Sequence, residues 1–100
     1  LNSEGIEALI EILLGRFAFD SIWTKNEEHI QTKTKNEAAV ESLREQLQFA
    51  CRSEVQTLIS EMKQAARFEN IDWFGNEGIK LGLEIAKLLE ERFISRGRAE

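Results

Sequence analysis

EAAVESLREQLQFACRSEVQTLISEMKQAARF, residues 37–68, is the stretch that decides the fold. Val40, Leu43, Leu47, Cys51, Val55, Leu58, Met62 and Ala65 recur in it every three or four positions, with Glu, Arg, Gln and Lys between them. An apolar stripe with a period near 3.6 lies on one face of an α-helix. The run predicts a helix over 37–68, about nine turns long. Asn36 stands where an N-cap is needed, with a side-chain oxygen able to accept from the unsatisfied first-turn amides. Phe49, Ala50, Ile59 and Ala66 widen the stripe and predict contact with more than one neighbour.

Two further helical segments flank it. Ser3 can cap a turn carrying Glu4 and Glu7, and Ile6, Leu9, Ile10, Leu13 and Leu14 follow at helical spacing. They predict a short helix over 4–14, which Gly15 can end. Residues 16–23 are rich in aromatics, whereas 24–36 hold one large apolar residue, Ile30, and read as a polar connecting segment. After Phe68, Asn70 or Asp72 can start a last helix over 73–94. Ile79, Leu83, Ala86 and Phe93 lie along one face of it, broadened by Leu81, Ile85, Leu88 and Leu89. Proline is absent, so no residue forces a break.

These segments predict one all-α domain over 1–100. Its two long helices, 37–68 and 73–94, would form an antiparallel hairpin, with the short N-terminal helix closing one end. Such a hairpin leaves apolar surface uncovered and predicts pairing of two chains into a four-helix bundle. The surface expected to mediate it centres on Gly75, Gly78 and Gly82. Each glycine costs about 1 kcal/mol against Ala inside a helix, a cost that close approach of a neighbouring backbone can offset. Leu81, Leu83, Ile85 and Leu89 would supply contact area.

Phe74, Gly78, Ile79, Lys80, Leu81 and Gly82 resemble the terminal helix of a group of small bacterial helical proteins. Those carry an aromatic-x-x-x-Gly-Phe-(Lys/Arg)-Leu-Gly signature, in which Ile79 here replaces the usual Phe. The short apolar helix at the other end is similar too. The resemblance implies a helical fold and implies no activity.

The charge and the motifs bound the function. A net charge of −5 over 100 residues favours solubility and disfavours direct nucleic-acid binding, which needs a basic face. One cysteine, Cys51, excludes an intrachain disulfide and fits a reducing compartment. It reads as a small apolar filler rather than a reactive thiol. No run reaches the roughly 18 apolar residues of a membrane span and no signal-peptide layout appears, so cytoplasmic residence is expected. The chain starts at Leu1 rather than Met, so the native start is expected to have been trimmed or to lie outside the numbered chain. One Cys and one His exclude a zinc site, no phosphate-binding glycine loop is present, and no basic recognition helix is found.

The reading these features favour is a protein–protein interaction or regulatory module that works through an apolar helical face. It would be homodimeric, with a further protein partner, no cofactor and no catalytic residue. The alternative is a metal-dependent nucleotide pyrophosphohydrolase. Glu37, Glu41 and Glu45 share one helical stripe, and Glu69 and Asp72 form a Glu-x-x-Asp pair, hard oxygen ligands of the kind Mg²⁺ takes. The Glu-Glu-x-x-Glu partner element is missing, and a solvated helix face is the plainer reading. A weaker alternative is an acidic inhibitor of a nucleic-acid-binding protein, which requires carboxylates gathered on one face. His29 lies in the polar segment, away from any expected pocket. Trp23, Trp73, Phe74, Phe17, Phe19 and Phe68 read as anchors of the core rather than as a ligand pocket.

Overall fold

The computed structural model describes residues 3–33 and 36–95; most of these are helical and no strand is found among them. Three α-helices make the body: α1 (Ser3–Lys33), α2 (Glu37–Gln64) and α3 (Asn76–Glu90). A 3₁₀ turn, Phe68–Asn70, joins α2 to α3, and a π-helical turn, Glu91–Ser95, extends α3. At 1.5 Å per residue, 31 residues reach about 46 Å, so α1 sets the 45 Å long dimension of the molecule.

The two long helices that pack together are α1 and α2, not 37–68 and 73–94. α1 makes the most contacts with α2, then with α3, while α2 and α3 share fewest. Glu7 meets Lys63, Glu11 meets Arg52, and Trp23 lies under Arg44. Partners on α2 thus descend as α1 ascends.

α1 corrects the expectation of a helix over 4–14 and a polar connector over 24–36. Gly15 does not end the helix. It is buried against α2, where an added Cβ would stand 3.3 Å from Arg52 Cγ. The chain stays helical because Ile10, Leu14, Ala18, Ile22, Asn26 and Ile30, each four residues from the last, are all buried. One member of that stripe is polar. Asn26 is 1% exposed, and its side-chain amide donates to the Ile22 carbonyl (2.8 Å) and to Glu90 Oε2 (2.7 Å). These bonds let an asparagine occupy a core position.

Asn36 caps α2, its Oδ1 accepting from the Ala38 amide at 2.9 Å. Leu47, Cys51, Val55 and Ile59 form the buried line of the helix. α2 ends at Gln64, short of the expected Phe68. Ala66 takes a left-handed φ of 57°, and the Arg67 amide turns back to the Met62 carbonyl at 2.8 Å. That closure is the usual stop for a helix, though Gly is its favoured residue.

The last helix starts at Asn76 rather than Trp73, with Gly75 at the cap. Asp72 organises the preceding turn: its carbonyl accepts from the Gly75 and Gly78 amides, and its own amide donates to Glu77 Oε1. The buried face of α3 is Gly78, Gly82, Ile85, Ala86 and Leu89. Ile79 and Leu83, expected on the core face, are instead half exposed. The glycine edge takes the buried position because α1 approaches there.

Candidate interaction surface

The expected interface residues are mostly engaged inside the chain. An added Cβ on Gly82 would stand 2.5 Å from Phe17 Cδ2 and 3.1 Å from Leu14 Cδ1, both on α1. On Gly78 it would meet the Trp73 carbonyl, and on Gly75 the Asp72 carboxylate. Ile85 and Leu89 are core, and Leu81 packs against it partly buried. Of the seven residues only Leu83 is exposed. The small-residue edge is therefore the seat of α1 and of the turn before α3, not a surface open to a second chain.

The metal candidates do not converge. Glu37, Glu41 and Glu45 are exposed along the first turns of α2, whereas Glu69 and Asp72 lie beyond its far end. From Glu45 to the end of α2 is roughly 30 Å along the axis. Among the described residues no group of three His, Cys, Asp or Glu side chains could hold a metal ion. Glu7, Glu11, Asp20, Glu41, Glu54 and Glu90 each face a Lys or Arg. His29 is partly exposed on α1. Cys51 is buried, and desolvation pushes its thiol up to about 12, which removes nucleophilic thiolate at neutral pH.

The aromatic residues divide into two groups. Phe19 stacks on Trp23 at 5.5 Å along α1, and Arg44 covers the Trp23 ring at 5.0 Å. Phe68 and Trp73 sit together at 5.4 Å in the α2–α3 connection, with Trp73 Nε1 donating to the Phe68 carbonyl at 2.9 Å. Both tryptophans are buried, so they anchor the core at two places.

What remains is exposed apolar surface on either side of α1. Towards α3, a shallow groove is walled by Leu13, Phe17, Trp73, Phe74 and Ile79, with Phe74 61% exposed. Towards α2, Ile12 and Phe49 stand beside a broad hollow floored by Gly15 and Phe19. Phe49 is 74% exposed, the most of any large apolar residue described. Its place on the widened stripe is corrected accordingly. Two residues from both Leu47 and Cys51, it lies about 200° round the helix from each, on the opposite side. That angle was the sequence signal for it.

No protein-family model matches the chain, and neither a curated protein nor a solved structure matches it significantly. No helix among the described residues is long and apolar enough to cross a membrane.

Proposed function

We propose that this chain is a self-associating interaction module, which pairs with a copy of itself and engages a further protein through apolar helical surface. The observation that carries the reading is the exposure of large apolar side chains in two grooves flanking α1. Leu13, Phe74 and Ile79 mark one, and Ile12 and Phe49 the other. Single exposed apolar residues are ordinary, but grouped ones with aromatic members mark association surfaces. Two such surfaces on one small domain fit a protein that pairs and still presents a face to another partner. The carboxylates support no competing hydrolase, because the five candidates lie at opposite ends of α2. Pairing here would build a helical bundle across chains from the α1–α2 pair, rather than from the hairpin of 37–68 and 73–94.

Thermal unfolding at several protein concentrations tests this. A self-associating fold binds its own partner in the native state, so its Tm rises with concentration. Millimolar Mg²⁺ or Mn²⁺, with or without a nucleoside triphosphate, should leave Tm where it is. A Tm independent of concentration but raised by metal would refute the module and restore the hydrolase.

A further inference from the structure

We infer that the seam between α1 and α3 takes one amphipathic helix of a partner protein, lying along α3 and carrying a Lys or Arg at the end that meets Asp72 and Glu77. This rests on the reading of the chain as an interaction module and names the chemistry of its further partner.

Apolar exposure picks the seam. Of the eight large apolar side chains exposed among the described residues, Leu13, Phe74, Ile79 and Leu83 belong to it, against Ile12 and Phe49 at the α1–α2 hollow. Ile79 and Leu83 are one turn apart on α3 and project to the same side. The groove walled by Leu13, Phe17, Phe74 and Ile79 has a volume of about 180 Å³. A second hollow, bounded by Ser21, Leu83 and Lys87, continues the seam. From Gly75 to Lys87 is about 18 Å along the axis, or about three turns. Anchors at i, i+3, i+4 and i+7 of a docked helix cover that length.

Backbone bonding picks a helix over an extended peptide. The Gly75 and Gly78 amides donate to the Asp72 carbonyl, and the Ile79 amide to the Gly75 carbonyl. The α3 wall therefore offers these donors to no incoming strand. No buried side-chain nitrogen or oxygen among the described residues is left unbonded either. An extended peptide pressed on this wall would leave its own amides and carbonyls unpaired, whereas a helix satisfies most of them within itself.

Charge fixes the sign. The Asp72 carboxylate lies against Gly75, which lines the groove, and Glu77 Oε1 accepts from the Asp72 amide at 3.2 Å. Two carboxylates thus share the Phe74 end of the seam. The N-terminus of α3 sets only about half a positive charge against them. Neither has an ion pair among the described residues, and nor has the exposed Lys87 at the other end. A cation on the incoming helix is therefore drawn to the Phe74 end. An anionic lipid surface is repelled there, which favours a protein over a membrane as the occupant.

Fluorescence anisotropy with two synthetic peptides tests the assignment. Both are Ala/Leu helices of about four turns with one leucine face; one carries two Lys in a terminal turn and the other two Glu there. The Lys peptide should bind about tenfold tighter at low salt, and high salt should shrink the gap to about twofold. Phe74→Ala should weaken the Lys peptide about tenfold, as loss of an aromatic anchor does, and Phe49→Ala should leave it within about twofold. Asp72→Asn with Glu77→Gln keeps the hydrogen-bonding oxygens and removes both charges, so it should erase the preference. Circular dichroism checks that each variant is folded. Equal affinity for the two peptides at low salt, or binding indifferent to Phe74→Ala, overturns the assignment. Loss of self-association in Phe74→Ala also overturns it, because the groove then belongs to a second copy and the module stands. Phosphatidylserine vesicles bound in place of either peptide overturn it in favour of a membrane. A chain that stays monomeric and binds neither peptide overturns the module as well.

Discussion

Gly82→Ala and Gly78→Ala separate the effect of helix propensity from that of close packing. On a free helix either change would stabilise by about 1 kcal/mol, since glycine interiors cost that much against alanine. Inside this fold the new methyl has neighbours. At position 82 it would lie 2.5 Å from Phe17 Cδ2 and 2.9 Å from Cε2. Phe17 is half buried and can yield only in part. Overpacking of this kind costs about 1–3 kcal/mol, so the net expectation is a loss of about 1 kcal/mol. At position 78 the obstruction is the Trp73 carbonyl, which is backbone and has no rotamer to change. The turn has to shift, weakening the bonds from the Gly75 and Gly78 amides to the Asp72 carbonyl. At about 1 kcal/mol each, with the steric cost added, the net loss should be about 3 kcal/mol. In a domain this size 1 kcal/mol moves Tm by about 4–8 °C, so the two variants are distinguishable in one set of thermal scans. Protein concentration should be held fixed, and exposed Ser60→Ala, inside α2, serves as a propensity control with a gain of about 0.5 kcal/mol at most. The expected order of loss is Gly78→Ala, then Gly82→Ala, then the control. Stabilisation of either glycine variant by the full helix-propensity gain would refute the internal packing of this edge.

Three more outcomes follow from single sites. Asn26→Ala removes the donor to Glu90 and the Ile22 carbonyl and opens a small void; it should destabilise by about 2 kcal/mol in urea unfolding. Ala66→Gly should stabilise by about 1 kcal/mol in the same assay, because φ of 57° is strained for alanine and free for glycine; destabilisation would mean that α2 continues through this residue. Cys51 gives a pH dependence. Burial raises its folded value to about 12, above the ordinary thiol value of 9.0, so the folded state holds a proton that the unfolded chain releases. The neutral-thiol contribution is full below pH 9.0 and is lost as pH rises towards about 12. Stability should fall by up to about 1.4 kcal/mol per pH unit in that window, and Cys51→Ala should flatten this part of the curve.

The helical class, the Asn36 cap and the buried line of α2 were legible in the sequence, because each rests on local chemistry with a fixed period. α1 was not. Gly15 has the look of a helix stop, and Asn26 the look of a loop residue. Only the neighbouring helices reveal that one is a site of close approach and the other a buried, bonded member of a stripe. The glycines of α3 show a different limit. Their spacing does mark a tight contact, but spacing is the same whether the neighbour belongs to the same chain or to another. Here Gly82 meets α1 and Gly78 meets the turn before α3, both within the same chain. The carboxylates mislead for a similar reason: proximity in sequence across Glu69 and Asp72 says nothing of the length of α2 that separates them from Glu37 and Glu41. Phe49 was within reach, since its angle from Leu47 and Cys51 already places it away from the core.

Sedimentation equilibrium of the wild-type chain across a range of concentrations tests self-association most directly. A mass rising from one chain to two as concentration increases, and stopping there, is the result expected of a closed two-fold pair. A mass of one chain throughout would contradict it and leave the exposed surfaces of Phe49 and Phe74 without a role in pairing.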